Sequence, residues 1–261
     1  MAPMPERIEI PASFPDAGVD GRRVVITGAS RGLGELLAHA FSRAGARVAL
    51  VARTERDLKE VAGALPGESL VLAGDVCDAE FDDAVAAAVA AEWGGIDAWI
   101  CNAGISPVVA GPTEMDPEVW RRVIEVNLTG SFLGARAAAS AMGQGGRVIF
   151  TGSVLGERPA RGLGAYSASK AGLVGLAKSL ALDLAPSGIT VNVVSPGWFD
   201  SPLAAGWTSD ERRSEAVLGH TALGRWGAPG DLAGAYLFLA SEAAGFVTGT
   251  VLAVDGGYLL V

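Results

Sequence analysis

Residues 24–45, VVITGASRGLGELLAHAFSRAG, contain the pattern that decides the fold. The stretch opens with a β-branched apolar run, which is typical of a buried strand. A glycine-rich turn follows, and beyond it apolar residues recur at helical spacing: Leu33, Leu36, Leu37, Ala40 and Phe41. A strand that leads through such a turn into a helix is the first half of a βαβ unit, from which α/β folds are built.

The same alternation of strand and helix continues to the end of the chain. Strand-like runs fall at 22–28, 46–52, 69–76, 96–104, 146–153, 189–197 and 249–257. Helical patterns fall at 32–44, 54–65 (with Thr54 as N-cap), 78–93, 116–142, 164–185, 209–219 and 229–240. We therefore predict one doubly wound (Rossmann) domain of class α/β, with about seven parallel strands and helices on both faces.

The domain boundaries follow from where this alternation starts. We expect residues 1–20 to form an N-terminal arm and residues 21–261 to form a dinucleotide-binding catalytic domain. Residues 198–227 lack a regular pattern apart from the helical stretch near 209–219, and we expect a lid at about 198–221.

Composition excludes several classes of protein. The net charge of −9 disfavours nucleic-acid binding, which needs a basic face. Two histidines and two cysteines, without ligand-like spacing, disfavour a metal site. We expect no membrane span, because no uncharged apolar run is long enough to cross a bilayer. Cys77 and Cys101 lie in apolar contexts and are expected to be free thiols of a cytoplasmic protein rather than a disulfide.

The glycine-rich turn predicts a phosphate site. Gly28, Gly32 and Gly34 lie in the stretch Thr27–Gly34, which reads T-G-x-x-x-G-x-G. Glycine lets the backbone adopt positive φ and approach a ligand closely, and a helix N-terminus offers free N–H groups to an anion. A plain glycine-rich turn is the alternative, but the position between the first strand and the first helix favours a dinucleotide pyrophosphate.

Two arginines indicate which dinucleotide is bound. NAD sites carry an acidic residue at the end of the second strand, but Ala52 stands there and Arg53 follows. Arg31 projects from the glycine turn toward the same region, and two guanidiniums suit a 2′-phosphate. We therefore predict NADP(H), with two solvated surface arginines as the alternative. Glu55 and Asp57 fit helix N-terminal charges better than ribose ligands.

A second group of residues predicts acid–base chemistry. In GAYSASKAGL (164–173), Tyr166 and Lys170 are four residues apart and share one helix face. A nearby ammonium is expected to lower the pKa of a phenol toward neutrality. Ser153 follows a strand at the edge where parallel sheets form their active sites, and its hydroxyl can bind a carbonyl oxygen. The alternatives are that Tyr166 is a core residue and that Ser153 is a helix cap. These alternatives explain each residue alone, but not the occurrence of Ser153, Tyr166 and Lys170 together.

Over residues 20–257 the chain carries a set of motifs together with the Tyr166-x-x-x-Lys170 pair. They are TGASRGLG (27–34), Asp75-Val76, NAG (102–104), Asn127, Ser153 thirteen residues before the tyrosine, Pro196-Gly197 and VDGG (254–257). With these motifs the chain resembles the classical short-chain dehydrogenase/reductase family. Within that family it resembles the group that contains 3-oxoacyl-carrier-protein reductases and sugar-acid dehydrogenases.

The resemblance implies roles for four catalytic residues. Tyr166 would be the general acid in reduction and the base in oxidation. Lys170 would bind the nicotinamide ribose and lower the pKa of Tyr166, and Ser153 would polarise the substrate carbonyl. Asn127 would hold a water molecule in a proton relay behind Lys170.

The resemblance also implies a cofactor site. Asp75 would bind the adenine amino group with Val76 beside the ring, and Ser201 would take the place of a family threonine near the nicotinamide. The expected cofactor-binding residues are Gly28, Ser30, Arg31, Gly32, Leu33, Gly34, Arg53, Asp75, Val76, Asn102, Ala103, Gly104, Tyr166, Lys170, Pro196, Gly197 and Ser201.

The substrate site is less clearly marked. We expect a mostly apolar lining from residues that follow the strand ends: Ser106, Val154, Leu155, Trp198, Phe199, Leu203 and Trp207. Arg158 and Arg161 lie close to the site in sequence and are expected to be solvated rather than ligands. Arg121 and Arg122 are weighed as a docking patch for an acidic carrier protein, and a solvated helix face is the favoured interpretation.

These expectations combine into one functional hypothesis. The chain is expected to be an NADP(H)-dependent oxidoreductase that interconverts a ketone and a secondary alcohol by hydride transfer, with a small-molecule substrate. The alternatives are a 3-oxoacyl-carrier-protein reductase and a non-catalytic NADP(H)-binding regulatory protein. A homotetramer is expected, since the terminal residues YLLV would be costly to expose and long helices are available for interfaces.

Overall fold

The computed structural model describes residues 18–199 and 208–261. Most of the predicted arm therefore lies outside the described residues, as do the predicted site residues Ser201, Leu203 and Trp207 in the middle of the predicted lid. Val19, which the sequence assigned to the arm, is fully buried in the core. The folded domain therefore begins before residue 21, because this valine completes one face of the core.

Seven strands form a single parallel sheet with the order β3-β2-β1-β4-β5-β6-β7. The strands are β1 (Arg23–Thr27), β2 (Arg47–Ala52), β3 (Ser69–Ala73), β4 (Ala98–Cys101), β5 (Arg147–Thr151), β6 (Thr190–Pro196) and β7 (Val251–Val254). The order reverses between β1 and β4, so the two connections that leave these strands diverge and open a crevice at their carboxyl ends. The predicted doubly wound sheet is confirmed.

Eight α-helices connect the described strands. They are α1 (Gly32–Arg43), α2 (Glu55–Ala64), α3 (Ala79–Trp93), α4 (Pro117–Ile124), α5 (Gly130–Ala141), α6 (Gly164–Leu184), α7 (Glu211–Leu218) and α8 (Pro229–Ala240). The single helix predicted over 116–142 is instead α4 and α5 joined by a π-helical turn, Glu125–Thr129. Such a turn inserts one residue into a helix, which apolar periodicity does not reveal.

Helix starts follow the chemistry of their first residues. The Asp78 side chain accepts hydrogen bonds from Glu80 N and Phe81 N at the start of α3. Asp116 does the same for Glu118 N at the start of α4. Thr54 occupies the N-cap position of α2, but its side chain makes no capping hydrogen bond, so the prediction for Thr54 is correct in position only.

The sheet is covered on both faces by apolar side chains. On one face α1, α2 and α8 contribute Phe41, Leu58 and Tyr236 to a buried cluster. On the other face α3, α5 and α6 pack against Trp99 and Phe150. Burial on both sides accounts for the near-continuous apolar runs of the central strands, whereas the edge strands β3 and β7 are only partly buried.

Three sequence expectations concern membrane spans, metal sites and disulfides. No described helix is long and apolar enough to cross a membrane. Within residues 18–199 and 208–261, no cluster of histidine, cysteine and carboxylate side chains has a geometry that could hold a metal ion. Cys77 and Cys101 are both free thiols.

Candidate active site

The glycine turn after β1 forms a close-packed cradle at the N-terminus of α1. Gly28 and Gly32 have positive φ values of 69° and 59°, which L side chains rarely adopt. A Cβ atom on Gly34 would lie only 2.1 Å from the carbonyl oxygen of Gly28, so no side chain fits there. Because the backbone is bare at this helix end, the cradle fits the pyrophosphate of a dinucleotide.

Hydrogen bonds connect the cradle to the NAG turn (102–104) that follows β4. Thr27 Oγ1 accepts hydrogen bonds from Asn102 N at 2.9 Å and Ala103 N at 3.0 Å. Asn102 Nδ2 donates back to the Thr27 carbonyl at 2.9 Å. A Cβ on Gly28 would lie 2.9 Å from Ala103 Cα. Thr27 therefore holds the two turns together, a role that the motif did not assign to it.

Arg31 and Arg53 lie beyond the carboxyl ends of neighbouring strands. Thr27 of β1 pairs in register with Val51 of β2, and each arginine follows its strand by a few residues. Both side chains are exposed, and neither forms an ion pair or a hydrogen bond with another described residue. Two guanidiniums are thus free at the sheet edge where the sequence predicts a 2′-phosphate. Ser30 and Leu33 share this turn, and Leu33 packs against the core.

Asp75 lies at the predicted adenine end of the site. Its carboxylate accepts a hydrogen bond from Cys77 N at 3.0 Å and forms an ion pair with Arg122 at 3.0 Å. Burial favours a higher pKa for Asp75, but these two donors outweigh it and lower the pKa. Val76 is buried beside Gly130. The sequence did not reveal the pairing of Arg122 with Asp75. An arginine on an amphipathic helix is usually solvated, and its partner lies on a distant part of the chain.

Ser153 has a capping role in the structure, and its role at a substrate carbonyl stays a prediction. It follows β5 and begins the 3₁₀ turn Val154–Gly156, where its Oγ accepts a hydrogen bond from Leu155 N at 3.2 Å. The Ser153 side chain also lies near the Tyr166 hydroxyl, close enough to favour a lower pKa for the phenol. The two hydroxyls that the sequence predicted to act together are therefore adjacent in space.

Lys170 lies behind Tyr166 on α6, where it is almost fully buried. Its Nζ donates a hydrogen bond to the Thr151 carbonyl at 2.7 Å and lies 5.6 Å from the centre of the Tyr166 ring. Burial lowers the pKa of Lys170 to about 8. Burial also raises the pKa of Tyr166, and the nearby Ser153 side chain only partly opposes this. The predicted lowering of the Tyr166 pKa is not seen, because burial of the phenol dominates.

Asn127 is fully buried in the π-helical turn. Its Oδ1 accepts a hydrogen bond from Ile105 N at 2.8 Å, and its Nδ2 donates to Ile105 O and Ser169 Oγ, each at 3.0 Å. A Cβ on Gly104 would lie 3.4 Å from Asn127 Oδ1 and 3.5 Å from Lys170 Nζ, so these groups converge. The Asn127 amide thus fixes the chain after the NAG turn, and its role in a water relay stays a prediction.

A buried hydroxyl network supports these residues from α8. Thr151 Oγ1 lies 2.9 Å from Tyr236 Oη and 3.3 Å from Asn102 Oδ1, while its carbonyl holds Lys170. Burial raises the pKa of Tyr236, so its phenol stays neutral. Sequence reasoning missed Thr151 and Tyr236 because their partners are far away along the chain.

Pro196 and Gly197 lie on the far side of the site. Gly197 N donates to the Val254 carbonyl at 2.9 Å, and a Cβ on Gly197 would lie 2.6 Å from Asp255 Cα. The VDGG motif therefore supports the Pro196–Gly197 turn by direct backbone contact.

A cleft with about 200 Å³ of empty space opens beside Tyr166, part of it toward solvent. It is lined by Ser106, Pro107, Val108, Met115, Val123, Gly162, Leu163, Ala165 and Tyr166. Of the stretch that the sequence placed at the substrate site after the NAG turn, residues 106–109, Ser106, Pro107 and Val108 line it. Sequence reasoning missed Met115, Val123 and Leu163, which carry no chemical signature of their own.

The other predicted substrate residues that are described lie elsewhere. Val154 and Leu155 are buried against Leu163, and Trp198 packs on the same cluster. Phe199 packs against Gly227 and the core. Val154, Leu155 and Trp198 therefore pack in one cluster with Leu163 of the cleft lining, and their contact with substrate stays a prediction.

The arrangement as a whole suits a nicotinamide dinucleotide and a carbonyl compound. The bare cradle at α1 accepts phosphates, while two adjacent hydroxyls and a buried ammonium lie at the end of an apolar cleft. Hydroxyl donors in such a position can bind and protonate a carbonyl oxygen.

The comparisons with known proteins agree with this geometry. A family model described as enoyl-(acyl carrier protein) reductase matches residues 28–259. The chain is 40% identical to cis-4-hydroxycyclohexanecarboxylate dehydrogenase of Sinomonas cyclohexanicum, over 92% of this chain and 97% of that protein. It is 36% identical to the 3-oxoacyl-[acyl-carrier-protein] reductase FabG of Escherichia coli (strain K12), over 93% and 99% of the two chains.

A solved structure shows the same fold with a cofactor. The short-chain dehydrogenase of Burkholderia cenocepacia in complex with NADP superposes with a TM-score of 0.85 at 31% identity, covering 92% of this chain and 99% of that chain. The fold, the motifs and these matches lead to one assignment: the chain belongs to the short-chain dehydrogenase/reductase family of oxidoreductases.

Proposed function

We propose that this oxidoreductase uses NADP(H) to interconvert a ketone and a secondary alcohol. The observation that carries the proposal is the placement of Ser153 beside Tyr166 at the end of the apolar cleft, with Lys170 buried behind the Tyr166 ring. Two neighbouring hydroxyl groups in this position can both donate hydrogen bonds to the carbonyl oxygen of a substrate.

The bound dihydronicotinamide would supply the hydride that reaches the carbonyl carbon. Ser153 Oγ donates a hydrogen bond to the carbonyl oxygen and so orients it. The Tyr166 hydroxyl gives its proton to the same oxygen, which yields the alcohol, and in oxidation the phenolate takes that proton back. The raised pKa of Tyr166 keeps the phenol protonated for reduction, and the Lys170 ammonium stabilises the phenolate that forms.

The choice of NADP(H) rests on the end of β2. Arg31 and Arg53 would hold the 2′-phosphate with charge-assisted hydrogen bonds, and Ala52 leaves no carboxylate there to repel it. The glycine cradle would hold the pyrophosphate, and Asp75 and Val76 would hold the adenine. The bound NADP in the Burkholderia cenocepacia relative supports this choice.

We place the substrate among compact, mostly apolar ketones. The described part of the cleft is lined chiefly by aliphatic side chains, which favour an alicyclic ring over a sugar. The relative from Sinomonas cyclohexanicum is named for a substituted cyclohexanol, a molecule of this kind.

A 3-oxoacyl-carrier-protein reductase is the second candidate, favoured by the match to FabG. The charge distribution argues against an acidic carrier protein. Arg121 is paired with Glu118 and Arg122 with Asp75, and the net charge of the chain is −9. A non-catalytic NADP(H)-binding regulator is disfavoured because all four catalytic positions are filled.

We also propose a homotetramer. Phe132 on α5 and Leu182 on α6 are large apolar side chains that the single chain leaves exposed. Association through these helices would bury both residues. Light scattering on the purified protein would show four chains per particle, and a stable monomer would contradict the proposal.

A substrate panel tests the proposed function. Cyclic and linear ketones, among them 4-oxocyclohexanecarboxylate, would be offered with NADPH and with NADH, next to a short 3-oxoacyl thioester. We expect NADPH-dependent reduction of a cyclic ketone with kcat/KM well above that for the thioester. A preference for the thioester would favour the second candidate, and no turnover of any carbonyl compound would contradict both.

A further inference from the structure

Arg158 ties the C-terminal segment Tyr258–Val261 to the active-site side of the domain. Its Nη1 donates a hydrogen bond to the Tyr258 carbonyl at 2.9 Å and also contacts the Val261 carbonyl. The guanidinium lies 5.1 Å from the centre of the Tyr258 ring, within the range of a cation–π interaction. The sequence predicted a solvated arginine here, but this side chain holds both the backbone and the ring of one residue.

The Tyr258 ring belongs to an aromatic cluster formed by Trp198, His220, Trp226 and Tyr258. The rings of Tyr258 and Trp198 are 6.2 Å apart, and those of Tyr258 and His220 are 6.5 Å apart. Trp198 meets Trp226 edge to face at 6.0 Å. The aromatic cluster thus joins the turn after β6, the end of α7 and the segment before α8 to the C-terminal segment.

The same segment reaches the catalytic turn. Tyr258 and Leu259 pack against the buried side chains of Val154, Leu155 and Leu163. Leu155 donates its N–H to Ser153 Oγ, and Leu163 lines the cleft. A continuous set of contacts therefore leads from Arg158 through Tyr258 to both the carbonyl-binding serine and the cleft wall.

The backbone of the C-terminal segment is also held by hydrogen bonds that do not involve Arg158. Asp255 accepts hydrogen bonds from Gly257 N at 2.9 Å and Leu259 N at 3.0 Å. Leu223 N donates to the Gly256 carbonyl at 2.9 Å. Loss of Arg158 would therefore leave these hydrogen bonds in place, while it removes the bonds to the Tyr258 and Val261 carbonyls and the cation–π contact with the Tyr258 ring.

We infer that Arg158 and Tyr258 form a positioning pair that sets which carbonyl substituents the cleft accepts. The inference rests on the proposed function. Arg158 fixes the Tyr258 ring, and the ring fixes Trp198 and the Val154–Leu155–Leu163 wall beside Tyr166. Neither member of the pair takes part in proton or hydride transfer.

The test compares Arg158→Met with Arg161→Met. Arg161 is an exposed arginine on the same connection and has no described partner, so it is a matched control. We expect Arg158→Met to change the ratio of kcat/KM between a bulky and a small ketone by about fivefold to tenfold, mainly through KM. NADPH affinity and the Arg161→Met ratio should stay within about twofold of wild type.

Substitutions of Tyr258 provide a second test of the same inference. Tyr258→Phe keeps the ring and the carbonyl that Arg158 binds, so the wild-type ratio should persist. Tyr258→Ala should change the ratio of kcat/KM between the bulky and the small ketone as Arg158→Met does. If Arg158→Met fails to fold, Tyr258→Ala replaces it in the test. A wild-type ratio in folded Arg158→Met or in Tyr258→Ala would overturn the inference.

Near-ultraviolet circular dichroism separates this inference from the proposed function. It reports the aromatic cluster without any substrate. If the wild type reduces no ketone, the proposed function fails and the substrate-selecting role fails with it. If the spectrum then changes in Arg158→Met but not in Arg161→Met, Arg158 orders the Tyr258 ring even without a known substrate. If neither variant changes the spectrum, that contact between Arg158 and Tyr258 is contradicted as well.

Discussion

At the scale of single residues, Arg31 and Arg53 carry the choice of cofactor. Each guanidinium is free and exposed at the edge where a 2′-phosphate would lie. Since a charge-assisted hydrogen bond contributes about 1.5–3 kcal/mol, replacing either arginine by alanine should weaken NADPH binding by at least about tenfold. NADH binding should change by less than about twofold, as titration of both nucleotides would show.

Arg56 provides the control for this prediction. It is an exposed arginine in the same region, but it is paired with Asp57. Arg56→Ala should leave both affinities near wild type. Equal losses of NADPH and NADH affinity in Arg31→Ala and Arg53→Ala would refute the phosphate clamp.

Lys170 should give the reduction reaction a pH limit. Burial lowers its pKa to about 8, so the ammonium is present below that pH and is lost as the pH rises through it. We expect kcat/KM for reduction to fall above about pH 8. Lys170→Arg keeps a positive charge and should be slower but free of this decline. A wild-type profile that stays flat to about pH 9.5 would contradict the assignment.

Asp82 is a buried carboxyl group that the proposed chemistry does not use. It is 0% exposed on α3, and neither carboxyl oxygen has a hydrogen-bond partner among the described residues. Burial, with a smaller contribution from Asp83, raises its pKa to about 7. The folded state therefore binds a proton that the unfolded state releases near pH 4, and stability is lost as the pH rises from about 4 to about 7.

Replacement of Asp82 by asparagine should therefore stabilise the protein in a pH-dependent way. Asp82→Asn is close in size and carries no charge to desolvate. The gain in the free energy of unfolding should be larger at pH 8 than at pH 5, on the order of 1–3 kcal/mol larger. Denaturant unfolding at both pH values measures it, with Asp183→Asn, an exposed position on α6, as the control. The same gain at both pH values would show that the pKa of Asp82 is not raised in the folded state, and would contradict the prediction.

At the scale of elements, the π-helical turn Glu125–Thr129 places Asn127 at the active site. The amide links this turn to Ile105 and Ser169, so it aligns the NAG turn with α6. Asn127→Asp removes two donors without changing the shape of the side chain. We expect a loss of stability of about 1–3 kcal/mol together with at least a tenfold fall in kcat of the folded variant.

Asn192 is a matched control for this element. It is equally buried, donates to Val247 O at 2.7 Å and accepts from Thr250 N at 3.2 Å, on β6 and away from the cleft. Asn192→Asp should lower stability by a similar amount and leave kcat near wild type. If both variants lost kcat equally, Asn127 would have only a structural role.

The elements themselves could largely be predicted from the sequence. The spacing of apolar residues in helices and strands depends on residues that are close together in sequence. This spacing was enough to locate all seven strands. The π-helical turn and the missing side-chain cap at Thr54 could not be predicted, because both depend on packing against other elements. The same reason explains the missed Thr151–Tyr236 contact, which joins β5 to α8 across 85 residues of sequence.

At the scale of the whole molecule, the strand order brings the site together. Motifs between Thr27 and Asp255 meet because every strand ends at the same edge of the sheet. That is why motif residues such as Ser153 and Tyr166 could be placed together from the sequence. The shape of the cleft could not be predicted, because Met115, Val123 and Leu163 come from separate connections and carry no motif.

The most direct test of the central claim is the rate of hydride transfer in Tyr166→Phe. Phenylalanine keeps the ring and its packing on α6 but removes the proton donor. NADPH oxidation would be followed in a single turnover with the best ketone of the panel, after NADPH binding is shown to stay within about threefold of wild type. We predict a fall of at least about 100-fold, the usual contribution of a general acid. A Tyr166→Phe rate equal to that of wild type would contradict the account.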